Sequence, residues 1–125
     1  MKRIVTSDQA PAPGGAYSQG VLVGGFLFTA GVTPANPLTG RPVGSTIEEQ
    51  TDQVMKNLGA ILAAAGLDFS DVIRVTVHLG DIKRDFAGFN RTYARYFETD
   101  FPVRTTTGSS LLGILVEIDM IAAAR

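Results

Sequence analysis

The sequence predicts an α+β fold, a sheet laid down in the order β-β-α-β-α-β-β with both helices packed on one face. Three observations carry it. Residues 73–79 and 114–121 alternate with the period of two expected of a half-buried strand. Residues 46–65 and 85–99 instead show apolar stripes at helical spacing. Each helix follows a strand and returns to another, which places both on the same side of one sheet. At 125 residues the chain fits one domain, spanning 1–125, with one core.

In chain order, residues 2–5 are apolar enough for a short extra strand, and 6–16 form an extended loop of turn residues. Val21-Leu22-Val23 and Phe26-Leu27-Phe28-Thr29-Ala30, joined by Gly24-Gly25, make a hairpin. Gly31 to Val43, with Pro34, Pro37, Gly40 and Pro42, is a long irregular loop of the kind that carries function. Ser45 and Thr46 each have a glutamate three residues on, giving two candidate capping boxes for the first helix. Its stripe is Ile47, Thr51, Val54, Leu58, Ile61, Leu62 and Ala65, and Gly66-Leu67 end it in a Schellman-type cap. In the next strand Ile73, Val75, Val77 and Leu79 face the core, and Arg74, Thr76 and His78 face away. The second helix, about Asp85 to Thr99, turns Phe86, Phe89, Tyr93, Tyr96 and Phe97 inward, and Pro102 stops it. Pro102 to Gly108 forms a strand carrying Arg104. The last strand points Ile114, Val116, Ile118 and Met120 inward and Leu115, Glu117, Asp119 and Ile121 outward. An outward face that mixes apolar side chains with acids implies cover by another subunit.

Composition narrows the function. Hydrophobic residues make up 45% and charged residues 18%, favouring an oligomer, while a net charge of −1 without a basic block disfavours nucleic acid as partner. With no cysteine there is no disulfide, thiolate nucleophile or thiolate metal site, and one histidine makes a metal centre an unexpected feature. Lys2 and Arg3 carry signal-like charge, but Thr6-Ser7-Asp8 break the segment at once, and no apolar run approaches the ~20 residues of a membrane span. The expected location is the cytoplasm.

Two readings of Arg104 and Glu117 stand side by side: an interstrand ion pair, or a receptor whose guanidinium fork holds a small carboxylate. Neighbouring threonines add hydroxyls to such a site but are also good strand residues. His78 reads as a solvated or interface residue. Tyr17 either closes a pocket or anchors the glycine-rich loop, and Asn90 ties the second helix to a loop. Gly14-Gly15 and Gly24-Gly25 precede no helix and no Gly-Lys-Ser/Thr, so neither cradles phosphate.

Several segments in order resemble one family. They are Gly15-Ala16-Tyr17-Ser18-Gln19-Gly20, Thr29-Ala30-Gly31, Asn36-Pro37-Leu38-Thr39-Gly40, Ala64-Ala65-Gly66-Leu67 and Asp71-Val72-Ile73-Arg74-Val75-Thr76-Val77. Phe89-Asn90-Arg91-Thr92-Tyr93, Phe101-Pro102-Val103-Arg104-Thr105 and Val116-Glu117-Ile118 follow. Their order and spacing resemble the Rid (YjgF-like) family of reactive intermediate imine deaminases across nearly the whole chain. The resemblance implies a chorismate-mutase-like fold, a homotrimer with clefts between subunits, and cofactor-free hydrolysis of 2-imino acids such as 2-iminobutanoate and 2-iminopropanoate to 2-keto acids and ammonia. Carried over, Arg104 binds the substrate carboxylate and Glu117 positions or activates water. Gly31 offers backbone contacts, Tyr17 lines the cleft, and Asn90 lies close to it. Thr106 stands where these deaminases have cysteine, Ala16 where they have proline, and Ala30 where they often have serine. These departures leave open a different enamine substrate, or a non-catalytic trimer that binds a small carboxylate or a protein. A ribonuclease role fits poorly with the absence of a basic patch and a lone histidine.

Overall fold

Strand alternation settles which side of the sheet is covered. In the last strand Val116, Ile118, Met120 and Ala122 are buried while the residues between them are half-buried. The computed structural model describes residues 1–124. Its strands are β1 (Arg3–Val5), β2 (Gly20–Val23), β3 (Phe26–Thr29), β4 (Val72–Leu79), β5 (Val103–Gly108) and β6 (Val116–Ala123). The helices are α1 (Ile47–Ala64) and α2 (Ile82–Ala94), with a single 3-10 turn at Phe69–Asp71. The expected extra strand is β1, paired with β2. The sheet runs β1-β2-β3-β6-β4-β5, antiparallel except for β4 and β5, which α2 connects in parallel. Helix α1 packs on β3 and β6, α2 packs on β4, and the helices pack on each other. Leu27, Val75, Val77, Leu79, Ile118 and Met120 meet Val54, Leu58, Ile61, Leu62 and Phe89 in one core.

Local chemistry explains the element ends. Gly24 (φ 58°) and Gly25 (φ 80°) both adopt the left-handed backbone that a tight hairpin turn requires. Of the two candidate capping boxes, the one used is Thr46–Glu49. The Glu49 carboxylate accepts the amides of Ser45 and Thr46, each at 3.1 Å, which holds it below the ordinary carboxylate range. Beyond α1, the amides of Gly66 and Leu67 donate to Ala63 and Leu62, the two bonds of a Schellman cap. Thr46→Ala is expected to destabilise the chain by about 1 kcal/mol in urea unfolding at neutral pH. The depressed Glu49 group stabilises the fold above its unfolded pKa. That share is lost as the pH falls below the ordinary 4.5, so the mutational effect should shrink in acid.

Three boundaries differ from the sequence expectation. A bulge between Val72 and Arg74 turns Ile73 outward, 44% exposed, and makes Val72 the core residue. Strand β6 starts at Val116, leaving Ile114 outside it. Leu115 packs against the core instead of joining the outer row, its amide held by Gln50 at 2.8 Å. Helix α2 starts earlier because Asp81 caps it through the Arg84 amide, and it ends at Ala94. The following amides at 95–97 then reach back only three residues. Phe89, Tyr93 and Phe97 are buried, Tyr96 is half-buried against the core, and Phe86 is exposed.

The face without helices has two halves. Ile4, Val21, Val23, Phe26, Phe28 and Ile121 occupy one end in mutual register. Arg74, Thr76, His78, Glu117 and Asp119, with Thr105 and Thr107, occupy the other. Phe26 and Phe28 remain 41% and 43% exposed, so a large apolar surface lies open on one chain. Burial pushes the Asp119 carboxyl up, against the opposing pull of His78 and Arg74.

Candidate active site

Glu117 stands on the helix-free face opposite His78. The chain leaving β3 is clamped to β6 by reciprocal bonds between Val32 and Ile118, at 2.7 and 3.1 Å. That clamp sets Gly31 against the Glu117 side chain. A β-carbon on Gly31 would lie 2.6 Å from Glu117 Oε2, so only glycine leaves the carboxylate in place. The Ala30 amide donates to Gln19, linking this corner to the loop that carries Tyr17. The Tyr17 hydroxyl accepts the Gly14 amide at 3.0 Å and its ring lies near Gly14 and Gly15. Tyr17 therefore anchors the loop and also lines, with Gly31, a cavity of about 240 Å³. A second cavity, about 440 Å³, is lined by Glu117 and shares Thr33, Ala35 and Gly40 with the first.

Arg104 lies elsewhere. It pairs with Val75, whose side chain is in the core, so Arg104 points to the helix side of the sheet. Its guanidinium carbon sits 4.9, 5.3 and 5.7 Å from the ring centres of Tyr93, Phe89 and Phe86. Nη1 donates to Asn90 Oδ1 at 2.9 Å. The rings attract the cation through their faces while Asn90 sets its rotation, so the guanidinium fork is held in one orientation. Burial pushes the Tyr93 hydroxyl up to about 12, partly offset by the Arg104 charge, so it stays a neutral donor near neutral pH. A cleft of about 360 Å³, lined by Asn90, Tyr93, Ala94, Phe101, Pro102 and Arg104, opens at this edge. Thr106 shares this face, and its hydroxyl is buried without a hydrogen-bond partner in the chain.

The six candidate residues thus form two groups, Tyr17–Gly31–Glu117 and Asn90–Arg104–Thr106. Strand β4 separates β5 from β6, and Arg104 and Glu117 point to opposite faces of the sheet, so they do not make the interstrand ion pair that the sequence left open. His78 bonds Ser109 through Nδ1 at 2.8 Å. Among the described residues no cluster of three or more His, Cys, Asp or Glu side chains comes together to hold a metal ion, and no helix is long and apolar enough to cross a membrane.

Two supporting residues escaped sequence reasoning. Buried Gln19 donates to the carbonyls of Ser7 and Pro11 at 3.0 and 2.8 Å and accepts the Ser7 amide, which shapes the loop before Tyr17. Buried Asn57 donates to Thr33 and Ala35 at 3.0 and 2.9 Å, which fastens the loop after Gly31 to α1. The only signal was a polar residue between Val54 and Leu58 on the apolar side of α1.

Residues 7–124 match the sequence model of the family described as Endoribonuclease L-PSP. A RutC family protein of Pyrococcus horikoshii is 46% identical over 124 residues, covering 98% of each chain. The 2-iminobutanoate/2-iminopropanoate deaminase of Rattus norvegicus is 39% identical over 124 residues, covering 98% of this chain and 90% of that one. The crystal structure of a member of the conserved Rid protein family from Yersinia pestis superposes with a TM-score of 0.94 at 38% identity, covering 99% of this chain and all of that one. Since that family model matches residues 7–124 and these relatives align over nearly the whole chain at 38–46% identity, this chain belongs to the Endoribonuclease L-PSP family, among the Rid proteins.

Proposed function

We propose that the protein is a hydrolytic deaminase of 2-imino acids, working in the cytoplasm as a homotrimer with its active sites between subunits. The observation that carries this is that Arg104 and Glu117, each with its own neighbours, point to opposite faces of one chain's sheet. Neither group suffices for the reaction. The Arg104 edge of one subunit, set against the Gly31–Glu117 corner of the next, assembles a carboxylate receptor and a water-activating group in one cleft. A head-to-tail contact of this kind closes into a ring, and the open Phe26–Phe28 face supplies apolar area for it. The rat relative's deaminase activity, at 39% identity, supports the reaction class.

In this reading the Arg104 fork holds the substrate carboxylate. Glu117 accepts a proton from water as its oxygen bonds to the imine carbon, and the C–N bond of the resulting carbinolamine breaks with protonation of the leaving nitrogen. The products are the 2-keto acid and ammonia, with one water consumed and no external oxidant or reductant. Thr106 lends its otherwise unpartnered hydroxyl to substrate or water. With no base beside it, it is not a nucleophile. The deciding assay generates 2-iminopropanoate in situ with an amino-acid oxidase and follows keto-acid formation against the spontaneous rate. No acceleration would favour a binding module instead.

Thr106→Ser is expected to keep most activity and Thr106→Val to lose a modest factor, roughly threefold to tenfold, as for one neutral hydrogen bond. A covalent adduct trapped on Thr106 would contradict this assignment.

A further inference from the structure

We infer that His78 is a positioning residue for Glu117 and makes turnover sensitive to mild acid. The neutral ring leaves the carboxylate to water, and the protonated ring draws it into an ion pair. This rests on the role proposed above for Glu117 and adds to it a regulation by protons.

Register places the two together. His78 on β4 and Glu117 on β6 are direct partners in an antiparallel pair. Their side chains therefore share one face, with β-carbons roughly 4.5–5.5 Å apart. The ring is anchored, since Nδ1 and the Ser109 hydroxyl lie 2.8 Å apart, which leaves Nε2 to meet a carboxylate. The groups around the ring come from three strands. On β6 it faces Glu117 and, diagonally, Asp119, whereas on β5 it faces the uncharged Thr107. Along β4 the same face continues through Thr76 to Arg74, whose guanidinium reaches away to Thr105 Oγ1 at 3.4 Å. Asp119 lies opposite Thr76, between His78 and Arg74. Burial pushes its carboxyl up, against the pull of those two side chains.

Glu117 has no other cation-forming partner close by on its own chain among the described residues. Gly31 lies against its carboxyl on the other side, and no further charged side chain lines the cavity it borders. Arg104 of the adjoining subunit, in the site proposed above, is taken up by the substrate carboxylate and keeps its charge at every working pH. The variable charge is that of His78, because histidine is the side chain whose ordinary pKa, about 6.5, lies in the physiological range. An imidazolium beside the carboxylate competes with water for the lone pair that takes the proton. Both residues are half-buried, so solvent ions screen that attraction less than at an open surface. His78 itself touches no reacting atom and acts through Glu117.

The test measures the pairing separately from turnover. His78 is the only histidine of the chain, so NMR follows its ring protons through a pH titration of the intact protein without ambiguity. Two coupled proton sites shift each other equally, and removing the Glu117 charge must then move the His78 midpoint. Glu117→Gln is expected to lower that midpoint by about half a pH unit or more, as loss of a facing carboxylate implies. Turnover gives the second readout. With 2-iminopropanoate, kcat of His78→Gln divided by that of wild type is expected to rise roughly fivefold as the pH falls from about 8 to about 5.5. Glutamine can still bond Ser109 but takes up no proton. A ratio that stays flat would overturn the inference. So would an unmoved midpoint in Glu117→Gln, or a midpoint that only Asp119→Asn moves, which would tie His78 to Asp119 instead. A midpoint that moves with Glu117 in a protein without imine hydrolysis would uphold the pairing and reject the catalytic reading, so the two fail separately.

Discussion

Glu117→Gln is expected to lower kcat for 2-imino acids by about 10²-fold while leaving KM within a few-fold of wild type. Glutamine keeps the side chain's shape against Gly31 but cannot accept the proton released by the attacking water. The substrate's carboxylate and side chain, by contrast, bind groups that the substitution does not touch. An interaction made only in the transition state changes turnover and not ground-state binding. The position leaves little room for an alternative base. A shift of the Glu117 carboxyl is limited by the Gly31 α-carbon, and that segment is pinned to β6 through Val32 and Ile118. Light scattering should first give about three times the 13.2 kDa chain mass for wild type and variant, because loss of assembly would imitate loss of catalysis. A trimeric Glu117→Gln protein with wild-type turnover would remove Glu117 from the chemistry.

Arg104 should behave in the opposite way. The substrate carboxylate keeps its charge throughout hydrolysis, so its receptor contributes chiefly uniform binding. Arg104→Lys retains a cation but loses the planar fork, the Asn90 bond and the contact with the Tyr93, Phe89 and Phe86 rings, and is expected to raise KM about tenfold. Arg104→Ala should raise it by about 10²-fold, the range of a charge-assisted pair. Mixing then tests where the site lies. If Arg104 of one subunit serves Glu117 of the next, Arg104→Ala and Glu117→Gln chains co-expressed in equal amounts will form some intact sites. Random assembly of a ring of three restores about a quarter of wild-type activity, although each variant alone is nearly inactive. Mixed trimers no more active than the two parents would place both residues' work within single chains, against the geometry proposed here.

Much of the fold was legible in the sequence because its signals are local. The Thr46–Glu49 box, the Gly66 stop and the Gly24-Gly25 hairpin each involve residues a few positions apart, and each appears in the structure. In β6 an unbroken apolar row told the covered face from the open one, so the outward direction of Glu117 and Asp119 could be read directly. The alternation failed at Val72 and Ile73, where a bulge inverted the parity. Both residues are apolar, so the pattern could not show which was inside.

The sequence by itself determined the elements, their order, the core row of β6 and the residue types able to bind a carboxylate and move a proton. Only the tertiary structure decided that those residues divide between two faces. Strand β5 lies at the sheet edge and reads Val103-Arg104-Thr105-Thr106-Thr107, with no apolar row to mark its inner side. Its facing is set by non-local pairing with β4, which puts Arg104 beside Val75 and under the rings of α2. Likewise, Gln19 and Asn57 shape the two site loops through bonds to backbone 8 to 24 residues away, contacts that exist only once the core has closed. Local sequence sets the period of a strand, whereas the sheet it joins and the side it shows are decided by the packing of distant segments.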